Sequence, residues 1–343
     1  MTRMHNPNLK PEDTKAWEVG ANIGLFGSKM TIDAPLYNSE TFNQIFDVPL
    51  AYSSGYTSIY LNAGQIDNKG IELTAKYKEK LGKFTWDTYL TYSLNRNKIV
   101  KLIEDGAKNP VTGDQITLPS FDMAGTGNYR ITLREGGTMS DIYVSSIRTD
   151  EHGAIFVDPV SNGVIAEANK FIYAGSAAPK YNLGWGNNFG WNGINLGFQI
   201  SARVGGVGVS NTQALLDYYG VSKASANARD EGGALVNGYR IPAKAYYETI
   251  GAPNGGAASM YVYSATNIRL SELTIGYDVP INKWTDYIKS MNVSFIGNNL
   301  LFLYKKAPYD PEVTASTGTY FQGIDYFMQP SLRNLGFSVK LQF

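Results

Sequence analysis

Thirty basic and thirty acidic side chains cancel over 343 residues, so no charge excess is left for holding nucleic acid. Cysteine is absent, which excludes disulfides and thiolate metal sites. No apolar run approaches the ~20 residues a membrane-spanning helix needs, whereas 24 Tyr and 36 Gly suit many strands joined by turns, with amphipathic rings at a water–lipid boundary.

Taken in chain order, the sequence alternates apolar and polar residues in stretch after stretch, the period-two signature of strands with one oily and one wet face. Trp17, Val19, Ala21, Ile23 and Leu25 form the first stripe, and Phe26 to Lys29 reads as a turn into Met30, Ile32, Ala34 and Leu36. Ile71, Leu73, Ala75 and Tyr77 precede a turn at Glu79 to Lys83, followed by Phe84, Trp86, Leu90, Tyr92 and Leu94. In that strand the stripe is expected to face lipid, while Asp87, Thr91, Ser93 and Asn95 face a lumen. Tyr181, Leu183, Trp185, Phe189 and Trp191 reach Asn192-Gly193 and continue as Ile194, Leu196, Phe198, Ile200, Ala202 and Val204. Strands are also predicted around Asn267 to Val279 and Met291 to Leu303. The chain ends with Leu335, Phe337, Val339, Leu341 and Phe343 pointing one way, a finish common in outer-membrane barrels that would also close a soluble sandwich. The total is about ten strands, several of them at the ~9–11 residues of a tilted membrane crossing.

The short reversals alternate with long connections, such as Lys98 to Arg130 and Gly205 to Met260. Structureless connections beyond ~12–15 residues are uncommon in compact soluble domains, whereas membrane barrels have short turns on one rim and long loops on the other. A short helix is predicted within Gln213 to Asp230. No repeat of fixed period argues for a propeller or solenoid.

Catalytic signatures are missing. His5 and His152 stand at no metal-ligand spacing and read as solvated loop residues. There is no G-x-S-x-G, H-E-x-x-H or P-loop, so neither catalytic residues nor a cofactor or metal site is assigned. Gly205-Gly206-Val207-Gly208 lacks dinucleotide spacing and reads as a loop. The acidic pairs Glu104-Asp105, Asp230-Glu231 and Asp310/Glu312 read as solvated turns. Tyr218, Tyr219, Tyr239, Tyr246 and Tyr247 are the candidate ligand-binding residues, because aromatic faces in loops can stack on sugar rings. Loop packing or a rim belt is the other use of the same rings.

Five stretches, in order, resemble the C-terminal barrel portion of the SusC/RagA-like TonB-dependent receptors, outer-membrane importers of Bacteroidetes-type bacteria. They are Asn8-Leu9-Lys10-Pro11-Glu12 with Glu18 and Gly20; Asn62 to Leu73, patterned N-x-G-x-I-x-N-x-G-x-E; Pro179-Lys180 with Gly184; Ile268 to Pro280, similar to L-R-L-K-N-L-T-L-G-Y-x-L-P; and Gly297-Asn298-Asn299-Leu300 through Tyr309-Asp310-Pro311-Glu312.

The resemblance implies an all-β, antiparallel transmembrane β-barrel portion, about ten strands of a 22-stranded barrel, with long extracellular loops. Residues 1–343 would be the C-terminal part of the receptor, with the plug domain and signal peptide absent. It further implies uptake of oligosaccharides or peptides with a SusD-like lipoprotein, energised by the TonB complex through an N-terminal part not present, in the cell outer membrane and in contact with its lipid. The terminal strand, Leu335 to Phe343, would be read by the assembly machinery. The alternatives are a passive porin or adhesin-like barrel, or a secreted carbohydrate-binding β protein.

Overall fold

The computed structural model describes residues 3–50, 54–62, 64–103, 113, 115, 118–285, 287–313, 315 and 321–343. Nine long strands form one antiparallel wall: β1 (Asp13–Leu25), β2 (Met30–Phe42), β3 (Gln65–Leu81), β4 (Phe84–Lys101), β5 (Tyr181–Trp191), β6 (Ile194–Val204), β7 (Asn267–Val279), β8 (Ser290–Lys305) and β9 (Asn334–Gln342). Their spatial order is their chain order. The alternating stretches picked out from the sequence occupy places in this wall.

Register explains why the alternation is so strict. One cross-strand row runs Ile23, Ile32, Ala75, Leu90, Trp185, Ile200, Leu270, Leu301. The neighbouring row, on the opposite face, runs Asn22, Asp33, Thr74, Thr91, Gly184, Ser201, Arg269. A one-residue slip in any strand would exchange its two faces. The apolar face is open, with Val19 65% and Phe337 82% exposed. The outer strands β1 and β9 each have one unpaired edge, so these nine strands form an arc of barrel wall.

Tight reversals close one rim. Phe26, Gly27 and Ser28 of the four-residue first reversal all have positive φ; in the two-residue reversals Gly82 and the Asn192–Gly193 pair do, as such hairpins need. The β7–β8 reversal on the same rim contains a 3-10 turn at Ile281–Lys283. The long connections all leave the opposite rim, at residues 43–64, 102–180, 205–266 and 306–333. Among the described residues no helix is long and apolar enough to cross a membrane.

The long connections differ from the structureless loops expected of them. Strand β4 continues through Lys101, and Arg130 lies inside another strand, Tyr129–Arg134. That strand belongs to a four-stranded sheet with Ser120–Gly125, Asp141–Ile147 and Ala166–Ser176. The single helix expected within Gln213 to Asp230 is two, α1 (Asn211–Tyr218) and α2 (Lys223–Asp230), each capped by a serine hydroxyl, Ser210 and Ser222, accepting a backbone N–H. A third, α3 (Ala243–Ile250), follows Pro242. Gly205 and Gly206 turn the chain with positive φ, but Val207 and Gly208 enter a short strand, Val207–Ser210.

The main hydrophobic core lies in these connections. Tyr129, Ile131, Leu133, Ile142, Val144 and Val209 are fully buried there together with Ile99 of the wall. Phe46 and Phe121, from different connections, meet edge-to-face at 5.7 Å. The connections therefore make a folded cap over one rim.

Candidate ligand cleft and the joints that hold it

The cap is fixed to the wall by the sequence stretches that looked most family-like. Asn62 donates to the carbonyls of Lys10 (2.9 Å) and Asn43 (2.7 Å) and accepts from the Lys10 N–H. The Glu12 carboxylate accepts from the Ile45 N–H at 2.7 Å, and the Asn68 oxygen accepts from Asn95 and Asn97. Gly70 has no room for a side chain, since a Cβ there would lie 2.2 Å from the Tyr37 ring.

A second joint is electrostatic. Arg269 on the lumen face of β7 meets Asp310 at 2.8 Å and Glu312 at 3.4 Å, and Arg269 and Asp310 are both about 5% exposed. Arg269 also donates to Asn299 (3.2 Å) and stacks over Phe302. Burial alone would raise the Asp310 carboxyl. Hydrogen bonds from Ser331 and the Glu312 N–H, with the Arg269 charge, more than offset this and hold it below the usual carboxylate range. The Asp310/Glu312 pair is thus a structural anchor, not a solvated turn. Of the other acidic pairs, Glu231 bonds Arg240 at 2.8 Å on the surface, and Glu104-Asp105 lies outside the described residues.

Between three connections the cap encloses a cleft of about 700 Å³, lined among others by Asn211, Tyr219, Asn254, Phe321, Tyr326 and Phe327. Its floor is rigid. The Asn128 side chain donates to the Ala252 and Pro253 carbonyls and accepts from the N–H groups of Gly255 and Gly256, tying the 102–180 and 205–266 connections together. The aromatic wall is held just as firmly. Ile324 and Asp325 pair with Val209 and Ser210, Ser210 donates to Asp325 at 2.6 Å, the Phe327 N–H donates to Thr212 at 2.6 Å, and Tyr129 donates to the Gln322 carbonyl. Phe321 and Phe327 both have positive φ (60° and 50°). For bulky residues this conformation costs on the order of 1–3 kcal/mol each and is found where the surroundings over-determine it, often at ligand sites.

Among the described residues no carboxylate, ammonium, guanidinium or imidazole lines the cleft. The described lining offers ring faces, amides and a threonine hydroxyl. Among the described residues no group of three or more His, Asp or Glu side chains is arranged to hold a metal ion. His152 is solvated and lies 3.5 Å from the adjacent Glu151 carboxylate.

The five tyrosines do not form one surface. Tyr219, 70% exposed, lines the large cleft and packs edge-to-face on Tyr218 at 5.0 Å. Tyr239 projects from the short strand Tyr239–Ile241. Tyr246 is buried in the core of the helical part of the cap, and burial pushes its hydroxyl up to about 12. Tyr247 is half-buried against it. Sequence reasoning missed Phe321, Tyr326 and Phe327, which alternate with nothing and belong to no quoted stretch. Leu335, Phe337, Val339 and Leu341 lie on the apolar face of β9, beside Gly297, Phe295, Val293 and Met291 of β8. Phe343 follows the strand, its carbonyl accepting from Lys289 at 2.9 Å.

A family profile described as TonB dependent receptor-like, beta-barrel matches residues 2–331. TonB-dependent receptor P3 of Formosa agariphila is 24% identical over 368 residues, covering 100% of this chain and 35% of its own length. TonB-dependent receptor SusC of Bacteroides thetaiotaomicron is 25% identical over 350 residues, covering 98% of this chain and 32% of its own. Among solved structures, the RagAB peptide importer in its open-open state superposes with a TM-score of 0.72 at 19% identity, covering 100% of this chain and 36% of that one. The RagAB peptide transporter gives 0.67 at 20%, covering 99% and 36%. The chain spans about a third of the length of the curated relatives it matches. By profile, sequence and fold alike, the chain belongs to the TonB-dependent receptor β-barrel family.

Proposed function

We propose that residues 1–343 form the C-terminal wall and outer loops of a TonB-dependent nutrient importer in the outer membrane, taking up oligosaccharides or peptides together with a SusD-like surface lipoprotein. The observation that carries this reading is the cleft of about 700 Å³. It is built only from connections leaving the rim opposite the tight turns, the side that faces outward in barrels of this kind. Similarity to SusC and to the RagAB peptide importers supports it. Energy coupling to TonB belongs in this reading to the remaining two thirds of such a receptor.

The test uses a full-length receptor carrying this segment. Replacing Tyr326 and Phe327 together by alanine is expected to lower uptake from a panel of labelled oligosaccharides and peptides at least tenfold, with folded barrel in the membrane unchanged. Unchanged uptake of every panel member would overturn the reading. Sidedness is checked with an epitope inserted after Gly238, in the exposed Asn237–Gly238 turn. Ala226 lies within α2 and is a poorer site. Antibody should reach the epitope on intact cells.

A further inference from the structure

Helix α1 divides two cavities of the cap. Asn211, Ala214 and Leu215 line the large cleft. Gln213 and Asp217 lie on the opposite side of the helix and line a second cavity of about 540 Å³ with Tyr246, Tyr247, Tyr261 and Tyr263. Asp217 also lines a smaller one, of about 320 Å³, with Arg229 and Lys244.

Asp217 is 4% exposed and has no counter-charge. Gln213 donates to one of its oxygens at 2.9 Å, and the other accepts from no side chain among the described residues. The cations lining the two cavities are turned elsewhere. Arg229 donates to the Gly220 carbonyl at 2.8 Å, Lys244 lies 3.8 Å from Glu248, and the exposed Lys223 makes no ion pair among the described residues. The hydroxyl of Tyr261, 2% exposed, is also without a hydrogen-bond partner. Burial, and after it the Asp217 charge, push the hydroxyls of Tyr247, Tyr261 and Tyr263 up from their ordinary value, so these rings stand around the carboxylate. Tyr246 meets Tyr247 edge-to-face at 5.1 Å. A buried carboxylate without a cation is costly to keep.

We propose that Asp217 and the tyrosines around it bind a primary ammonium group of an incoming substrate. An ammonium carries three N–H donors and no acceptor. The free Asp217 oxygen and the Tyr261 hydroxyl offer it two acceptors, and the ring faces add cation–π attraction, strongest where water is excluded. A neutral hydroxyl would leave the buried charge uncompensated, and an anion would be repelled by it. A hard metal cation takes about six oxygens or more, and Asp217 is the one carboxylate lining the larger cavity among the described residues. A peptide amino terminus and an amino sugar both carry the group. This rests on the import reading for what reaches the cap, so the test measures binding and not uptake.

A full-length receptor carrying the segment is purified in detergent and titrated calorimetrically at about pH 6, where an amino terminus is protonated. Two pairs of probes are used: an alanine tetrapeptide amide and its N-acetylated form, and a glucosamine tetramer and its N-acetylated form. At least one free amine is expected to bind the parent on the order of tenfold more tightly than its acetylated partner, and the pair that shows the margin identifies the source. D217N is expected to lose the margin, D217E to keep most of it, and D230N, on the exposed end of α2, to leave it unchanged. If the parent prefers neither free amine, the assignment is overturned, and that comparison needs no variant. A margin that survives D217N overturns it too, and an equal loss in D230N overturns it as diffuse charge attraction. Each of these results leaves the uptake test of the large cleft standing.

Discussion

Removing Arg269 should release the cap from the wall. The guanidinium sits between Asp310 at 2.8 Å and Glu312 at 3.4 Å, and the Asp310 side chain is 2% exposed. In Arg269→Ala the Asp310 carboxylate keeps its backbone donors from Glu312 and Ser331 but loses the counter-charge held at 2.8 Å. Breaking a buried pair from one side costs about 3–5 kcal/mol, because a charge is left uncompensated, whereas replacing both partners by apolar groups is often near neutral. Even the lower figure is a factor of more than a hundred, taking about 1.4 kcal/mol per tenfold. The expected order of loss is Arg269→Ala greatest, Asp310→Asn smaller because Glu312 remains in reach, and the Arg269→Met/Asp310→Leu double variant close to the parent. Proteolytic nicking of the 306–333 connection, in a detergent-solubilised receptor carrying this segment, reads the opening equilibrium, and the double-mutant cycle isolates the pair. A coupling near zero, or an Arg269→Ala cap as resistant as the parent, would refute the view of this joint as an anchor.

Acid should act on the same joint. The Asp310 carboxyl is held low in the fold, so its contribution is complete above the ordinary carboxylate value and is lost as pH falls through the folded one. Nicking should therefore be flat from about pH 8 to 5 and rise below about 4, and Asp310→Asn should remove that acid step. In the wall, Leu90→Arg should impair heat-modifiable barrel formation far more than Thr91→Arg, since charge on the lipid face at mid-bilayer costs on the order of 2–4 kcal/mol; equal effects would show the two faces misassigned. Deleting Phe343, or replacing it with Asp, should lower folded barrel in the membrane more than Gln342→Ala does. Parental insertion and transport by the deletion would refute a closing and targeting role for the terminal strand.

The wall was legible because its physics is local: period-two alternation needs only neighbouring residues, and the stripes from Trp17 to Leu341 found their places, Phe343 alone falling just past the last strand. The cap was not, for reasons visible in particular residues. Tyr129, Ile131 and Leu133 do alternate, but over a strand so short that only burial by distant partners, such as Ile142 and Val144, makes it one. Helix α3 is two turns long and follows a proline that supplies no side-chain cap. The family-like stretches were recognised as patterns without roles. Gly70 is glycine because the Tyr37 ring lies across it, and Arg269 is arginine because Asp310 is waiting 2.8 Å away. Both facts are long-range and have no sequence period. The cleft aromatics were invisible for the same reason, since Phe321 and Phe327 are set by backbone geometry that no propensity announces.

The cap core also bears on how such a chain reaches its final state. Each wall hairpin with a tight reversal closes between neighbours in sequence, yet the cap core draws on Met4 ahead of β1 and on all four long connections, through Phe46, Leu102 and Tyr129, Val209 and Ile324. Closing such distant contacts is entropically slow unless something first brings the ends together. Here the wall does so, each correctly registered strand delivering its connection to the rim beside the next. Completion of the cap thus depends on every strand being in register. A strand out of register would withhold one contributor, leave apolar surface open to water, and mark the chain as unfinished until the error is corrected.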